Sequence, residues 1–92
     1  MNEYTIPVNE GIYTGIISYW KLDIGEVQSN VERNHFSQGD LMKVHGLMVE
    51  GRNILFEGRD LSAITDSMRD DMYSGLRKLN ELERRILEQT MH

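Results

Sequence analysis

Residues 48–61 read MVEGRNILFEGRDL, and the structure of this stretch decides the fold of the chain. The stretch contains a seven-residue repeat, in which two apolar residues are followed by Glu-Gly-Arg, then by Asn or Asp, then by one apolar residue. Gly51 lies in the first copy and Gly58 in the second. Turn chemistry favours a hairpin, in which Glu-Gly-Arg-Asn joins strands at 47–49 and 54–56.

A helix over residues 39–57 is the alternative, because a seven-residue period also fits a helical heptad. Gly46 and Gly51 would then lie inside the helix, where each costs about 0.8–1 kcal/mol relative to Ala. We therefore favour the hairpin. The two structures predict opposite effects of Gly51→Ala, which would stabilise a helix and destabilise a turn that needs positive φ.

The N-terminal residues are rich in β-branched and aromatic side chains, which are typical of strands. They predict strands near 3–7 and 12–21, joined by a short loop at Asn9-Glu10-Gly11. A helix through 12–31 competes with this interpretation, because apolar residues also recur there at helical spacing.

The C-terminal third predicts one long helix, from Leu61 to about Gln89, because its apolar residues recur at spacings of three and four. The sequence as a whole therefore predicts an α+β fold in a single domain, residues 1–92. In this fold a small antiparallel sheet, made of the N-terminal hairpin and the middle hairpin, packs on the C-terminal helix. An all-α fold with residues 39–57 helical is the alternative.

The length of the C-terminal helix predicts self-association. A helix of this length measures roughly 43 Å, whereas a compact chain of this size is roughly 32 Å across. The protruding turns would expose apolar side chains, unless the helix kinks at Ser74-Gly75 and buries its own stripe. We therefore expect a homodimer or partner contact through Met72, Gly75, Leu79, Leu82, Ile86 and Leu87.

Composition excludes several classes of function. Ten Lys and Arg against fifteen Asp and Glu give the 92-residue chain a net charge of −5, which argues against binding to a nucleic-acid backbone. The chain has no cysteine, which removes disulfides and thiolate chemistry and fits a reducing compartment. No run approaches the ~18 apolar residues of a membrane span, and the N-terminus lacks the features of a signal peptide. We expect a cytoplasmic protein without a membrane partner.

No catalytic or metal-binding motif emerges from the sequence. His35 and His45 are ten residues apart, with Asp40 between them, and this spacing does not place two ligands on one helix face. The aspartates within residues 66–71 are explained by the helix dipole. We therefore expect neither an enzyme nor a bound metal or cofactor; an enzyme using His35 or His45 with Asp40 is the least favoured hypothesis.

The remaining hypothesis is a small interaction module that acts by stoichiometric binding to another protein, as an inhibitor or a regulator does. The alternative is a binder of a small anionic ligand or nucleotide. In that alternative Arg52 and Arg59 would hold the anion together, and Tyr13 and Tyr19 of the predicted second strand would stack on a ring.

Overall fold

The computed structural model describes residues 5–60 and 64–90, and these residues form three α-helices. The helices are α1 (Thr5–Glu32), α2 (Gln38–Asp60) and α3 (Asp66–Thr90), and each packs against the other two in a rod of 58 × 19 × 17 Å. The described residues contain no strand. The predicted α+β fold and its sheet are therefore wrong, and the all-α alternative, with residues 39–57 helical, agrees with α2.

α1 replaces both predicted N-terminal strands. Residues 12–21 are helical, and so are the described residues of the predicted strand 3–7, of which residues 3 and 4 lie outside the described part. Pro7 is tolerated because the first turn of a helix has no intrahelical partners for its amides. Strand propensity differs by at most about 1 kcal/mol at one position, whereas burying one large apolar side chain contributes about 1.5–3 kcal/mol. Burial of an apolar stripe at helical spacing therefore outweighs strand propensity. The stripe consists of Tyr13, Ile17, Trp20, Ile24, Val27 and Val31.

α1 ends in a Schellman motif with Asn34 in the left-handed conformation, at φ 58°. The amide of His35 donates to the carbonyl oxygen of Asn30 at 2.9 Å, and the amide of Asn34 donates to the carbonyl oxygen of Val31 at 3.1 Å. These bonds satisfy carbonyls that the end of the helix would otherwise leave unpaired.

α2 begins in a capping box formed by Ser37 and Asp40. The Ser37 amide donates to Asp40 Oδ2 at 2.9 Å, and Ser37 Oγ accepts a hydrogen bond from the Gly39 amide at 3.2 Å. Asp40 Oδ1 also accepts a hydrogen bond from Asn30 Nδ2 at 3.3 Å, which ties the turn to α1. Asp40 therefore has a structural role.

Trp20 is fully buried where the three helices meet. Its Nε1 donates to the Leu47 carbonyl oxygen at 2.7 Å. A Cβ at Gly51 would lie 2.7 Å from Cζ2 of the ring, and a Cβ at Gly75 would lie 2.5 Å from Cζ3. Both glycines are thus needed for helices α2 and α3 to approach the indole. In an isolated helix Gly51→Ala would be stabilising. In α2 the new Cβ would overlap the Trp20 ring, so we expect this substitution to destabilise the protein.

α3 begins later than predicted, at Asp66. Thr65 Oγ1 accepts a hydrogen bond from the Met68 amide at 3.2 Å and caps the helix. Residues 61–63 of the predicted helix lie outside the described residues. α3 continues through Gly75 to Thr90 without a break, so the helix does not fold back at Ser74-Gly75. The predicted overhang assumed that α3 packs on a sheet shorter than itself. In the structure α3 packs on two helices of similar length, which cover its apolar residues.

We predict that Gly51→Ala and Gly75→Ala each lower the free energy of unfolding by about 1 kcal/mol or more. Overpacking against a rigid buried ring costs roughly 1–3 kcal/mol, which exceeds the gain of up to about 1 kcal/mol in helix propensity. Gly46→Ala is the matched control in the same helix, because its Cβ would meet nothing within 4 Å. It should stabilise the protein by about 0.5–1 kcal/mol. Urea denaturation at 25 °C measures all three; an equal gain in stability at Gly46 and Gly51 would contradict the packing of Trp20.

Candidate functional site

A groove between α2 and α3 is the candidate site, and it contains a cavity of about 430 Å³. Its floor is apolar and consists of Leu55, Ile64 and Leu76, each partly buried against the core. Two aromatic rings and two guanidinium groups line the rest of it. These residues are Arg52, Phe56, Arg69 and Tyr73. We call this feature the α2–α3 groove.

Helical spacing brings the lining residues together. Arg52 and Phe56 are four residues apart on α2, so both lie on the flank of that helix that faces α3. On α3, Arg69 and Tyr73 are also four residues apart, and Leu76 follows three residues later. The two flanks lie next to the buried stripes of their helices. The groove is therefore held by the same packing that forms the core.

The aromatic side chains of the groove are exposed. Phe56 has 62% of its surface accessible and Tyr73 has 50%. Single exposed apolar residues are common on protein surfaces, but these two share one cavity with an apolar floor. Their area would leave water if a partner occupied the groove, and burying a large apolar side chain contributes about 1.5–3 kcal/mol.

The groove is locally positive in a chain of net charge −5. Arg69 Nη2 lies 3.7 Å from Oδ1 of Asp66, whose side chain is 96% exposed. Exposed ion pairs of this kind contribute little to stability. Arg52 makes no hydrogen bond or ion pair with any of the residues that the structure describes. Both guanidinium groups can therefore receive an anionic group from a partner.

The groove continues toward the N-terminal end of α2 as a second, shallower concavity that shares Arg52. Val49, with 53% of its surface exposed, lies along it. Farther on, His45 Nε2 contacts Glu83 Oε2 and bridges α2 to α3. Residues 45–56 of α2 thus border a track made of these two adjoining concavities, about 17 Å along the helix, which matches roughly three turns of a helix.

Of the residues predicted to bind an anionic ligand, the described ones lie apart. Arg52 lines the α2–α3 groove, and the side chain of Arg59 lies outside the described side chains. Tyr19 is on α1 and is 73% exposed. Tyr13 is buried, and its hydroxyl donates across a long 3.5 Å contact to Glu57 Oε2. Burial raises the pKa of Tyr13, and the Glu57 carboxylate raises it further.

The residues predicted for self-association lie mostly in the core of the single chain. Their side chains pack on α1 and α2, and Gly75 lies against the Trp20 ring. Leu87 is the exception, with 39% of its surface exposed. Self-association itself stays a prediction, although its premise of an overhanging helix does not hold. The buried residues are Met72, Leu79, Leu82 and Ile86.

The histidines and aspartates considered as ligands are dispersed. Asp40 caps α2, His35 follows the end of α1, and His45 pairs with Glu83. Among the described residues, no group of three or more His, Cys, Asp and Glu side chains is arranged to hold a metal ion. Within the same residues no helix is long and apolar enough to cross a membrane.

Of the seven residues that line the groove, sequence reasoning identified only Arg52 and missed the other aromatic and charged ones, Phe56, Arg69 and Tyr73, as well as the apolar floor. Phe56 and Tyr73 do not fall on the apolar stripes of their helices, and Arg69 belongs to a charged stretch. A signal for Phe56 was available only if residues 39–57 were taken as a helix, since Arg52 and Phe56 are then neighbours on one flank. For Tyr73 and Arg69 nothing in a single sequence indicates which helix they face.

Comparison with protein-family models, with curated proteins and with solved structures found no match. The assignment of a function to the α2–α3 groove therefore depends on its own geometry and charge.

We predict that the aromatic residues of the groove contribute little to folding. Tyr73 and Met72 are adjacent on α3 and provide a matched pair, because Tyr73 is half exposed and Met72 is fully buried. Tyr73→Ala should change the free energy of unfolding by less than about 1 kcal/mol, whereas Met72→Ala should lower it by about 2–5 kcal/mol. Urea denaturation followed by circular dichroism measures both. Equal losses of stability would show that the Tyr73 side chain belongs to the core and is not exposed for a partner.

Proposed function

We propose that the protein is an interaction module that binds another protein stoichiometrically through the α2–α3 groove. The observation that carries the proposal is the pairing of exposed aromatic rings, Phe56 and Tyr73, with the cations Arg52 and Arg69 over an apolar floor. Hot spots of protein interfaces are enriched in aromatic and arginine residues of this kind.

The partner segment that fits the groove is an acidic amphipathic helix. A helix of about three turns matches the track along residues 45–56, and its apolar residues at i, i+3, i+4 and i+7 would lie on the floor. Carboxylates beside them would pair with Arg52 and Arg69, which the rest of the structure leaves accessible. A basic helix would meet the same arginines with like charge.

The proposal extends to the biological setting. A module that acts by binding alone affects its partner by occupying a surface, which is how stoichiometric inhibitors and regulators work. A chain that contains no cysteine is compatible with the reducing environment of the cytoplasm, where we place the interaction.

A second candidate function is the binding of a small anion that carries a ring. The cavity of about 430 Å³ has the size of a small-molecule site. Tyr73 and Arg52 line it together, so a ring and an anionic group could both be held. Titration with adenosine monophosphate tests this candidate: saturable shifts confined to groove amides in nuclear magnetic resonance spectra would favour it over the protein partner.

Two synthetic helical peptides test the protein-binding proposal. Both carry the same apolar face, and one has Glu where the other has Lys. We predict that the acidic peptide binds with a micromolar Kd, shifts the amide resonances of Phe56 and Tyr73, and binds about tenfold more weakly at 500 mM than at 50 mM NaCl. The basic peptide should bind at least tenfold more weakly than the acidic one.

Charge reversal provides the matched control for that experiment. Arg52→Glu combined with Arg69→Glu should reverse the preference in favour of the basic peptide. Lys43→Glu combined with Lys78→Glu changes the net charge equally but lies on the other two interhelical grooves, so it should leave the preference intact. Absence of binding by either peptide, or a preference that follows net charge alone, would contradict the proposed site.

A further inference from the structure

The seven-residue repeat extends one copy further toward the N-terminus of α2. Residues 41–47 read LMKVHGL, residues 48–54 read MVEGRNI and residues 55–61 read LFEGRDL. Each copy begins with two apolar residues and ends with one. The fifth residue of each copy carries an imidazole or a guanidinium group, and these residues are His45, Arg52 and Arg59. On a helix, residues seven apart lie nearly on one face, with a drift of about 20° per copy.

The helix separates the charges of the repeat. Within a copy, Glu and Arg are two residues apart, which places them roughly 200° apart around the axis. Glu50 lines the concavity between α1 and α2, and Glu57 Oε2 contacts the hydroxyl of Tyr13 on α1 at 3.5 Å. Arg52 lines the α2–α3 groove on the opposite flank. The glutamates of the repeat therefore lie on the side of α1 and do not neutralise Arg52 at the groove.

The second residue of each copy is apolar and exposed. Met42, Val49 and Phe56 have 74%, 53% and 62% of their surface accessible. Neighbours in this series are about 10.5 Å apart along the axis, so the three residues span about 21 Å. Phe56 and Val49 line the two adjoining concavities of the track, and Met42 lies one copy before Val49 on the same flank. α2 thus presents an exposed apolar side chain at a regular interval along the groove.

The carboxylates that α3 contributes to this flank lie at its two ends. Glu83 Oε2 contacts His45 Nε2 toward the N-terminal end of α2, and Asp66 lies 3.7 Å from Arg69 near the C-terminal end. Between them, no carboxylate of the described residues lies within ion-pair distance of Arg52. The middle of the flank therefore carries a positive charge that a partner's carboxylate would complement.

We infer that the partner of the α2–α3 groove is an acidic helix with the same seven-residue period as α2. This inference rests on the proposed function and specifies the partner further. Two helices that share an apolar period of seven keep contact along their length by coiling around each other at about 20°. The partner has an apolar side chain in each of three successive heptads, facing Met42, Val49 and Phe56, and a carboxylate at the level of Arg52.

Two acidic peptides of three heptads and identical composition test the shared period. In the heptad peptide the apolar residues recur every seven positions, whereas in the shifted peptide those of the first and third heptads are moved by two positions. The shift removes both outer contacts in either orientation of the peptide. Isothermal titration calorimetry should show that the heptad peptide binds about tenfold more tightly, since each outer contact buries a large apolar side chain.

Met42→Ala tests whether the period extends to the first copy of the repeat. It should weaken the heptad peptide about fivefold and leave the shifted peptide unchanged, because only the heptad peptide reaches Met42. Leu22→Ala is the matched control, since Leu22 is 67% exposed on α1, and it should change neither affinity. Both side chains are exposed, so both variants should keep the helical circular dichroism of the wild type.

The outcomes separate this inference from the proposed function. Equal affinity for the two peptides, with no effect of Met42→Ala, would overturn the shared period and leave binding in the groove intact. Absence of binding by both peptides would overturn the proposed function and the inference together. A heptad peptide that is weakened equally by Leu22→Ala and Met42→Ala would overturn the assignment of the contact to α2.

Discussion

The structure depends on the insertion of one indole ring between three helices. Trp20 of α1 hydrogen-bonds to the Leu47 carbonyl oxygen of α2 and packs where Gly51 and Gly75 leave room for it. The hydrogen bond satisfies the only polar atom of the indole, and the glycines allow the backbones of α2 and α3 to approach it. A single side chain thus fixes the positions of both other helices relative to α1.

This arrangement determines which apolar surface remains outside. Each helix contributes one stripe to the core, and the flanks beside these stripes carry the exposed aromatic and aliphatic residues. On α2 and α3 the flanks meet in the α2–α3 groove, where Arg52 and Arg69 add positive charge. The α2–α3 groove thus combines exposed apolar surface with positive charge, and this combination is the basis for the proposed binding of an acidic helix.

The sequence predicted the helical state of α3 correctly, because its apolar spacing coincides with good helix propensity and a polar opposite face. It failed for residues 12–21, where β-branched and aromatic residues favour a strand locally but are overruled by burial at helical spacing. It failed again at Gly51, because the benefit of a glycine inside a helix depends on Trp20, 31 positions earlier in the chain. Of the groove, only Arg52 was identified. The exposed positions of Phe56 and Tyr73 follow from how α2 and α3 pack, which local patterns do not encode.

Proton–proton contacts of the Trp20 ring are the most sensitive measure of how the three helices pack. In a nuclear Overhauser spectrum the indole Hζ2 proton should show a cross-peak to the Hα protons of Gly51, and the indole Hζ3 proton should show one to the Hα protons of Gly75. Residues 12–21 should have the carbon chemical shifts of a helix. The absence of cross-peaks to both glycines, together with extended-strand shifts over residues 12–21, would contradict the three-helix structure and the groove that depends on it.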